Sequence, residues 1–273
     1  MFFLILAIFS SALVSIVMRL SEDKVNHNLG MLVMNYLMCS LLGAGSAAGL
    51  LDGGFSVAAM GCFNGLLYLA SFVLFQMNVR RNGVVLSATF MKLGLLVTMV
   101  VSVCLYGEIP GVWESLGFLL AVFAIILINY RKESGAVSSK FSLLWLLLCG
   151  GMADAMSKIF EESGIPGMGD PFLFFTFATA LLLCGIYMIL KGQRIGKPEI
   201  LFGLMIGIPN FYSSRFLLGA LGSLPAVIVY PVYSVGTILV VTLTGLLLFQ
   251  ERLSKRQWIA LGIILAALVF LNL

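Results

Sequence analysis

Four ionisable side chains, Lys92, Asp154, Lys158 and Arg215, lie inside long apolar segments of the sequence. In lipid each costs at least about 2.5 to 3.5 kcal/mol near a helix centre unless it faces water or an opposite charge, so each marks a candidate site. Lys92 stands ten residues into its segment, a depth of about 15 Å at 1.5 Å per residue, which is the bilayer midplane. An ammonium there binds a substrate carboxylate or phosphate, or releases a proton as substrate arrives. Its structural alternative is a buried pair with a carboxylate or with helix-end carbonyls. Asp154 and Arg215 lie at similar depths, each six residues from the outer end of its segment. Paired, they would form an outer gate or a neutralised packing contact; alone, Asp154 is a candidate coupling proton site. Lys158 is close enough to its segment end to snorkel or to meet Glu162 four residues on.

Uncharged polar groups fall on helical faces. Asn64, Tyr68, Ser71, Phe75 and Asn78 recur at spacings of three and four, Tyr230, Tyr233, Ser234, Thr237 and Thr244 repeat the pattern with spacings of three, four and seven, and Ser11 and Ser15 share a face further upstream. Such faces line a water-filled cavity or hydrogen-bond between packed helices. The Tyr230/Tyr233 and Asn64/Tyr68 pairs are the candidates for substrate contact, together with Ser11 and with Asn210 beside Pro209. Pro209 and Pro231 remove helical hydrogen bonds and supply hinges; Ala88 stands opposite Pro231 in the first half.

The elements that position these residues follow from composition. Hydrophobic residues make up 61% of the 273, charged residues 10%, and mean hydropathy is +1.10, which defines an all-α integral membrane protein. Apolar runs near the length needed to span a bilayer predict ten transmembrane helices, over 2–19, 29–50, 56–77, 82–106, 111–129, 141–160, 171–190, 199–221, 224–249 and 257–273. Of 16 Lys and Arg, the 13 outside these spans all fall in alternate connections. That asymmetry puts both termini outside the cytoplasm. The net charge of +4 therefore reports orientation, and no nucleic-acid partner is expected.

Other chemistries find no pattern. The Gly196–Lys197 pair lacks the remainder of a phosphate loop, which excludes ATP-driven transport within this chain. The five cysteines have no paired spacing and His27 is the lone histidine, so no metal, disulfide or cofactor is expected. No nucleophile, base and orienting group cluster, and the chain is not expected to be an enzyme.

The pattern W-x-x-L-G-x-x-L-A occurs at Trp113, Leu116, Gly117, Leu120 and Ala121 and again at Trp258, Leu261, Gly262, Leu265 and Ala266, 145 residues on. Glu108 and Glu251 precede the two copies, as helix caps or loop anchors. The chain reads as a duplication, residues 1–135 and 136–273, with five helices each. An odd number inverts the second copy, and two inverted five-helix repeats are a recurrent construction for alternating-access transporters.

With its two glutamates ahead of W-x-x-L-G, and above all the stretch LPAVIVYPVYSVGTILVVTLTGLLLFQERLSKRQWIALG from Leu224 to Gly262, the chain resembles the EamA-type branch of the drug/metabolite transporter superfamily. The resemblance implies a cavity lined by helices 1, 3, 4, 6, 8 and 9, with helices 5 and 10 packed behind. VMRLSE (Val17–Glu22) and SKIFEE (Ser157–Glu162) are similar to the end of the first helix in small multidrug resistance proteins. The membrane glutamate those relatives carry eight positions earlier is Ser11 and Gly150 here, which argues against a lipophilic-cation exporter. Together with Lys92 this favours an anionic or zwitterionic metabolite such as an amino acid or organic acid. The expected carrier is gradient- or proton-coupled, exports its substrate, and sits as a monomer or weak dimer in a bacterial inner or plasma membrane. The alternatives are a lipid-handling, flippase-type protein and an exporter of cationic amines.

Overall fold

The computed structural model describes residues 1–21, 24, 25, 27–46, 54–82, 87, 90–129, 140–248 and 255–271. They form ten helices: α1 (Phe2–Ser21), α2 (Asn28–Ser46), α3 (Gly54–Asn82), α4 (Leu95–Tyr106), α5 (Val112–Asn129), α6 (Lys140–Ser163), α7 (Gly169–Leu190), α8 (Lys197–Leu221), α9 (Ala226–Leu248) and α10 (Lys255–Phe270). No strand occurs among the described residues. Seven of the helices, α1 to α3 and α6 to α9, are long and apolar enough to cross a membrane. Helices close every internal backbone hydrogen bond within one segment, which is what a chain this apolar requires in lipid. Outward side chains agree with that medium, since Leu119, Leu182 and Leu247 are 63%, 66% and 79% exposed on faces where water would be a poor solvent.

Contacts group residues 1–69 with 159–222 and residues 70–158 with 223–273. Each compact unit therefore draws helices from both halves of the sequence. In the first, α8 packs on α1 and α2, and α7 on α2. Glycines set the approach: a Cβ on Gly203 or Gly207 would collide with Met34 or Met38 of α2, and one on Gly61 with Phe175 of α7. Glu199 fixes one end of this unit. Buried at the start of α8, it accepts hydrogen bonds from the backbone N–H of Gly196 (3.0 Å) and of His27 (3.2 Å), joining the entries to α2 and α8.

In the second unit α5 packs on α10, and α9 on α4, α5 and α10. Its apolar core includes Leu95, Phe118, Ala121, Ile125, Val235 and Ile264. Trp113 stacks on Phe270 with ring centroids 5.7 Å apart. The helices that carry the repeated tryptophan motif are thus packed on one another.

The fourth helix departs from its expected form. The sequence predicts one helix over 82–106, but the helical turn at Phe90–Lys92 gives way to a turn at Leu93–Gly94 before α4 begins at Leu95. Gly94 N–H donates to Met91 O (3.2 Å), Leu96 N–H to Leu93 O (3.0 Å) and Val97 N–H to Gly94 O (2.8 Å), bonds three residues apart that tighten the chain locally. The cause is close packing of two glycines. A Cβ on Gly94 would stand 2.9 Å from the backbone nitrogen of Gly151 in α6, so α4 and α6 touch backbone to backbone beside the break.

Candidate functional site

That contact brings two of the predicted charges together in the second unit. Lys92 lies two residues before Gly94, and Asp154 lies three residues, almost one turn, after Gly151. Both side chains are exposed, and each is the charged neighbour whose field the other feels. Among the described residues neither closes to ion-pair or hydrogen-bond contact with any group. Tyr230, buried on α9, donates its hydroxyl to the backbone carbonyl of Asp154 at 2.5 Å. The arrangement gathers a cation, an anion and a tyrosine at an interrupted helix, where the chain is least able to tolerate a purely apolar surrounding.

Two neighbouring threonines of α9 bond to the helix's own backbone. Tyr233, half-buried, accepts at its carbonyl from Thr237 Oγ1 (2.7 Å), and Thr244 Oγ1 donates to Val240 O (2.8 Å). Pro231 is buried inside α9, where its ring nitrogen has no hydrogen to give the helical ladder. Ala88, its counterpart, and Glu251 lie outside the described residues.

The other sequence candidates belong to the first unit. Asn210 on α8 donates from Nδ2 to Asn35 Oδ1 of α2 at 3.1 Å and approaches Cys39 Sγ at 3.7 Å. Asn64 is buried, and its side-chain oxygen has no hydrogen-bond partner among the described residues. Tyr68, half-buried, meets Phe177 edge-on with centroids 6.0 Å apart, and Tyr36 packs on the same ring at 6.2 Å. Ser11 is half-buried, its carbonyl accepting from Ser15 Oγ at 3.3 Å. On α3 the cavity-face reading does not hold for Asn78: in the second unit it donates to Ser142 O (3.0 Å) and accepts from Ser142 Oγ (2.7 Å), a bond pair that pins α3 to α6.

Two charges found partners the sequence did not indicate. Depth alone pairs Arg215 with Asp154, but in the structure Arg215 Nη2 donates to Asp170 Oδ2 at 2.7 Å, joining α8 to the first turn of α7. Lys158 does not snorkel. It is 2% exposed and its Nζ meets Glu108 Oε1 at 2.6 Å, with the Tyr106 ring 5.6 Å away. Glu108 also accepts from Ser102 Oγ and from the Ala226 N–H (2.8 Å), which caps α9. Burial alone would raise the Glu108 carboxyl. The hydrogen bonds from Lys158 and Ser102, the Lys158 charge and the Ala226 N–H outweigh it and hold the group below the ordinary carboxylate range. The loop-anchor expectation for Glu108 therefore agrees with the geometry. Asp170 reads in the sequence only as an acidic residue of the outer side, not as the partner of Arg215, and Asn35 is missed although it interrupts an apolar run, the same signal that marks Asn64.

No family model matches the chain. An uncharacterised protein of Haemophilus influenzae is similar at 25% identity over 210 residues, 75% of this chain and 72% of that protein. A solved crystal structure matches with a TM-score of 0.76 over 98% of this chain and 94% of its own, at 15% identity. At that identity the likeness shows a shared fold and nothing of the chemistry.

Proposed function

We propose that this chain is a secondary transporter of the drug/metabolite type, carrying a small polar metabolite with a negatively charged group, anionic or zwitterionic, across a bacterial inner membrane. One observation carries the reading: Lys92 and Asp154 stand accessible and unclosed beside an interrupted helix, in a chain otherwise built of apolar spanning segments. Interrupted helices and intramembrane charges recur where transporters bind substrate, because only a wet or liganded site offsets their cost. The duplicated sequence supports alternating access by two inverted five-helix repeats, and gradient or proton coupling with outward transport completes the proposal. The residues the sequence offers for substrate contact are Lys92, Tyr230, Tyr233, Ser11, Asn64, Tyr68 and Asn210, and for coupling or gating Asp154, Arg215 and Pro231; of these the Lys92–Asp154 couple carries the reading, with Asp154 open to substrate as well as to a coupling proton.

A lipid-handling protein is the second reading, favoured by a different observation. α1 and α8 enclose an open, mostly apolar groove of about 600 Å³ lined by Leu13, Val17, Ile208, Pro209, Tyr212 and Phe216 among others. Purified protein in proteoliposomes separates the two. Counterflow of radiolabelled amino acids, organic acids and amines, run beside scrambling of fluorescent phospholipids, is expected to show metabolite exchange without scrambling. Scrambling without exchange of any metabolite sinks the transporter reading.

A further inference from the structure

Two ion pairs close in this structure, and one further couple of opposite charges, Lys92 and Asp154, does not. Lys158 and Glu108 close to 2.6 Å, and Arg215 and Asp170 to 2.7 Å. A pair present only to neutralise itself in an apolar protein behaves this way, since direct contact recovers the most Coulomb energy and satisfies the donors. Lys92 and Asp154 do not. They sense each other's field, yet both remain exposed and neither side chain closes an ion pair or hydrogen bond with a described residue. The approach of their helices is fixed by the Gly94–Gly151 backbone contact, and the Asp154 turn is further tied to α9 by the 2.5 Å bond from Tyr230 to its carbonyl. The backbones that carry the two charges are thus held beside one another, while the charged groups themselves stay apart beyond ion-pair contact, leaving a gap between them.

We infer that this gap is a subsite for a zwitterionic head group, an ammonium and a carboxylate carried on adjacent atoms of one small molecule; the inference rests on the transporter reading and narrows its substrate class. The substrate carboxylate docks on Lys92 Nζ and its ammonium on the Asp154 carboxylate. Each half-ligand is mismatched. A simple anion satisfies Lys92 but meets the negative charge of Asp154, and a simple amine satisfies Asp154 but meets Lys92. A zwitterion satisfies both and adds no net charge to a site that itself carries none, so occupancy leaves no uncompensated charge in the membrane interior. Tyr230 is a positioning residue here, acting through the Asp154 backbone.

The test is ligand binding by the purified full chain in detergent, read by thermal shift and by equilibrium binding. Three matched sets serve as probes: L-alanine, ethylamine and propanoate; L-leucine, 3-methylbutylamine and 4-methylpentanoate; L-phenylalanine, phenethylamine and 3-phenylpropanoate. In at least one set the amino acid is expected to bind about ten-fold or more tighter than either half, the effect of one additional charge-assisted contact. Lys92→Met should weaken the amino acid and the acid while sparing the amine, and Asp154→Asn should weaken the amino acid and the amine while sparing the acid. The exchanged variant Lys92→Asp with Asp154→Lys should regain amino-acid binding, which shows that loss in the single variants is not misfolding. The inference is overturned if the acid or amine binds as tightly as its amino acid, if no amino acid binds, or if Asp154→Asn leaves zwitterion affinity unchanged. Counterflow of non-zwitterionic metabolites in the same vesicles would leave the transporter reading standing while this one fails.

Discussion

Glu108 ties three parts of one unit together through a single carboxylate: Ser102 at the end of α4, Lys158 on α6 and the first N–H of α9. Its energetics are those of a partner that cannot be removed alone. Glu108→Gln leaves the Lys158 ammonium buried without its counter-charge, and a loss on the order of 3 kcal/mol is expected, read as a fall in apparent Tm. Replacing both residues, Glu108→Gln with Lys158→Met, should recover a large part of that loss because no orphan charge remains. The pH dependence follows from the depressed carboxyl. Protons bind the unfolded chain more readily than the folded one, so the stabilisation is complete above the ordinary value of 4.5 and is lost as pH falls below it through the folded value. A thermal melt series from pH 7 to roughly pH 3 should show this decline in the wild type and a shallower one in Glu108→Gln; identical slopes would remove Glu108 from the account. At this scale sequence reading finds the charges and misses two of their partners, Asp170 and Glu108. Lys92, Asp154, Lys158 and Arg215 stand out because a charge in an apolar run is costly wherever it points. Residue count gives depth along a helix but neither its azimuth nor its neighbours, which is why Arg215 meets Asp170 and Lys158 meets Glu108.

Helices were legible as apolar runs, and α4 shows where that signal ends. Gly94 sits in a run that reads as uninterrupted helix, and only the partner glycine on α6 reveals why the chain breaks there. A backbone contact between two glycines has no signature in the hydropathy of either. The repeated tryptophan motif teaches a related point, because equal register does not produce equal surroundings. A Cβ on Gly117 of α5 would lie 2.8 Å from Leu271 Cγ and 2.9 Å from Leu271 N, whereas one on Gly262, its repeat mate on α10, would meet nothing within 4 Å. Alanine at the two positions should therefore act with opposite sign. Gly117→Ala is expected to cost about 1 to 2 kcal/mol as α5 and α10 are pushed apart. Gly262→Ala should gain roughly 0.5 to 1 kcal/mol through backbone entropy in a helix interior. Apparent Tm values of the purified variants decide it, and two shifts of the same sign would mean that packing at Gly117 relaxes without cost. The same helix pair tests the motif's role, since variants confined to it should alter stability and leave ligand affinity alone.

At the scale of the whole chain, the sequence alone suggested ten spans, and among the described residues ten helices fall within or near them, α4 beginning only at Leu95, with seven of the ten long and apolar enough to cross a membrane. What the sequence did not show is how contacts partition. Residues 1–69 group with 159–222 and residues 70–158 with 223–273, an association of segments distant in the chain that no local pattern encodes. Orientation rests on charge. The connection between α7 and α8 together with the first residue of α8 carries Lys191, Arg194 and Lys197, while the connection between α6 and α7 carries no Lys or Arg. Retaining three cations on the cytoplasmic side is favoured over carrying them across during insertion, so the first of these connections should face the cytoplasm and the second the outside. The five native cysteines must first be replaced, after which single cysteines at Arg194 and at Ile165, both exposed, report the two faces. In intact cells a membrane-impermeant maleimide is expected to label Ile165→Cys and to spare Arg194→Cys, and in inside-out vesicles the pattern should reverse. Labelling of Arg194→Cys from outside would invert the topology, placing both termini in the cytoplasm and turning the Glu108–Lys158 junction toward it as well.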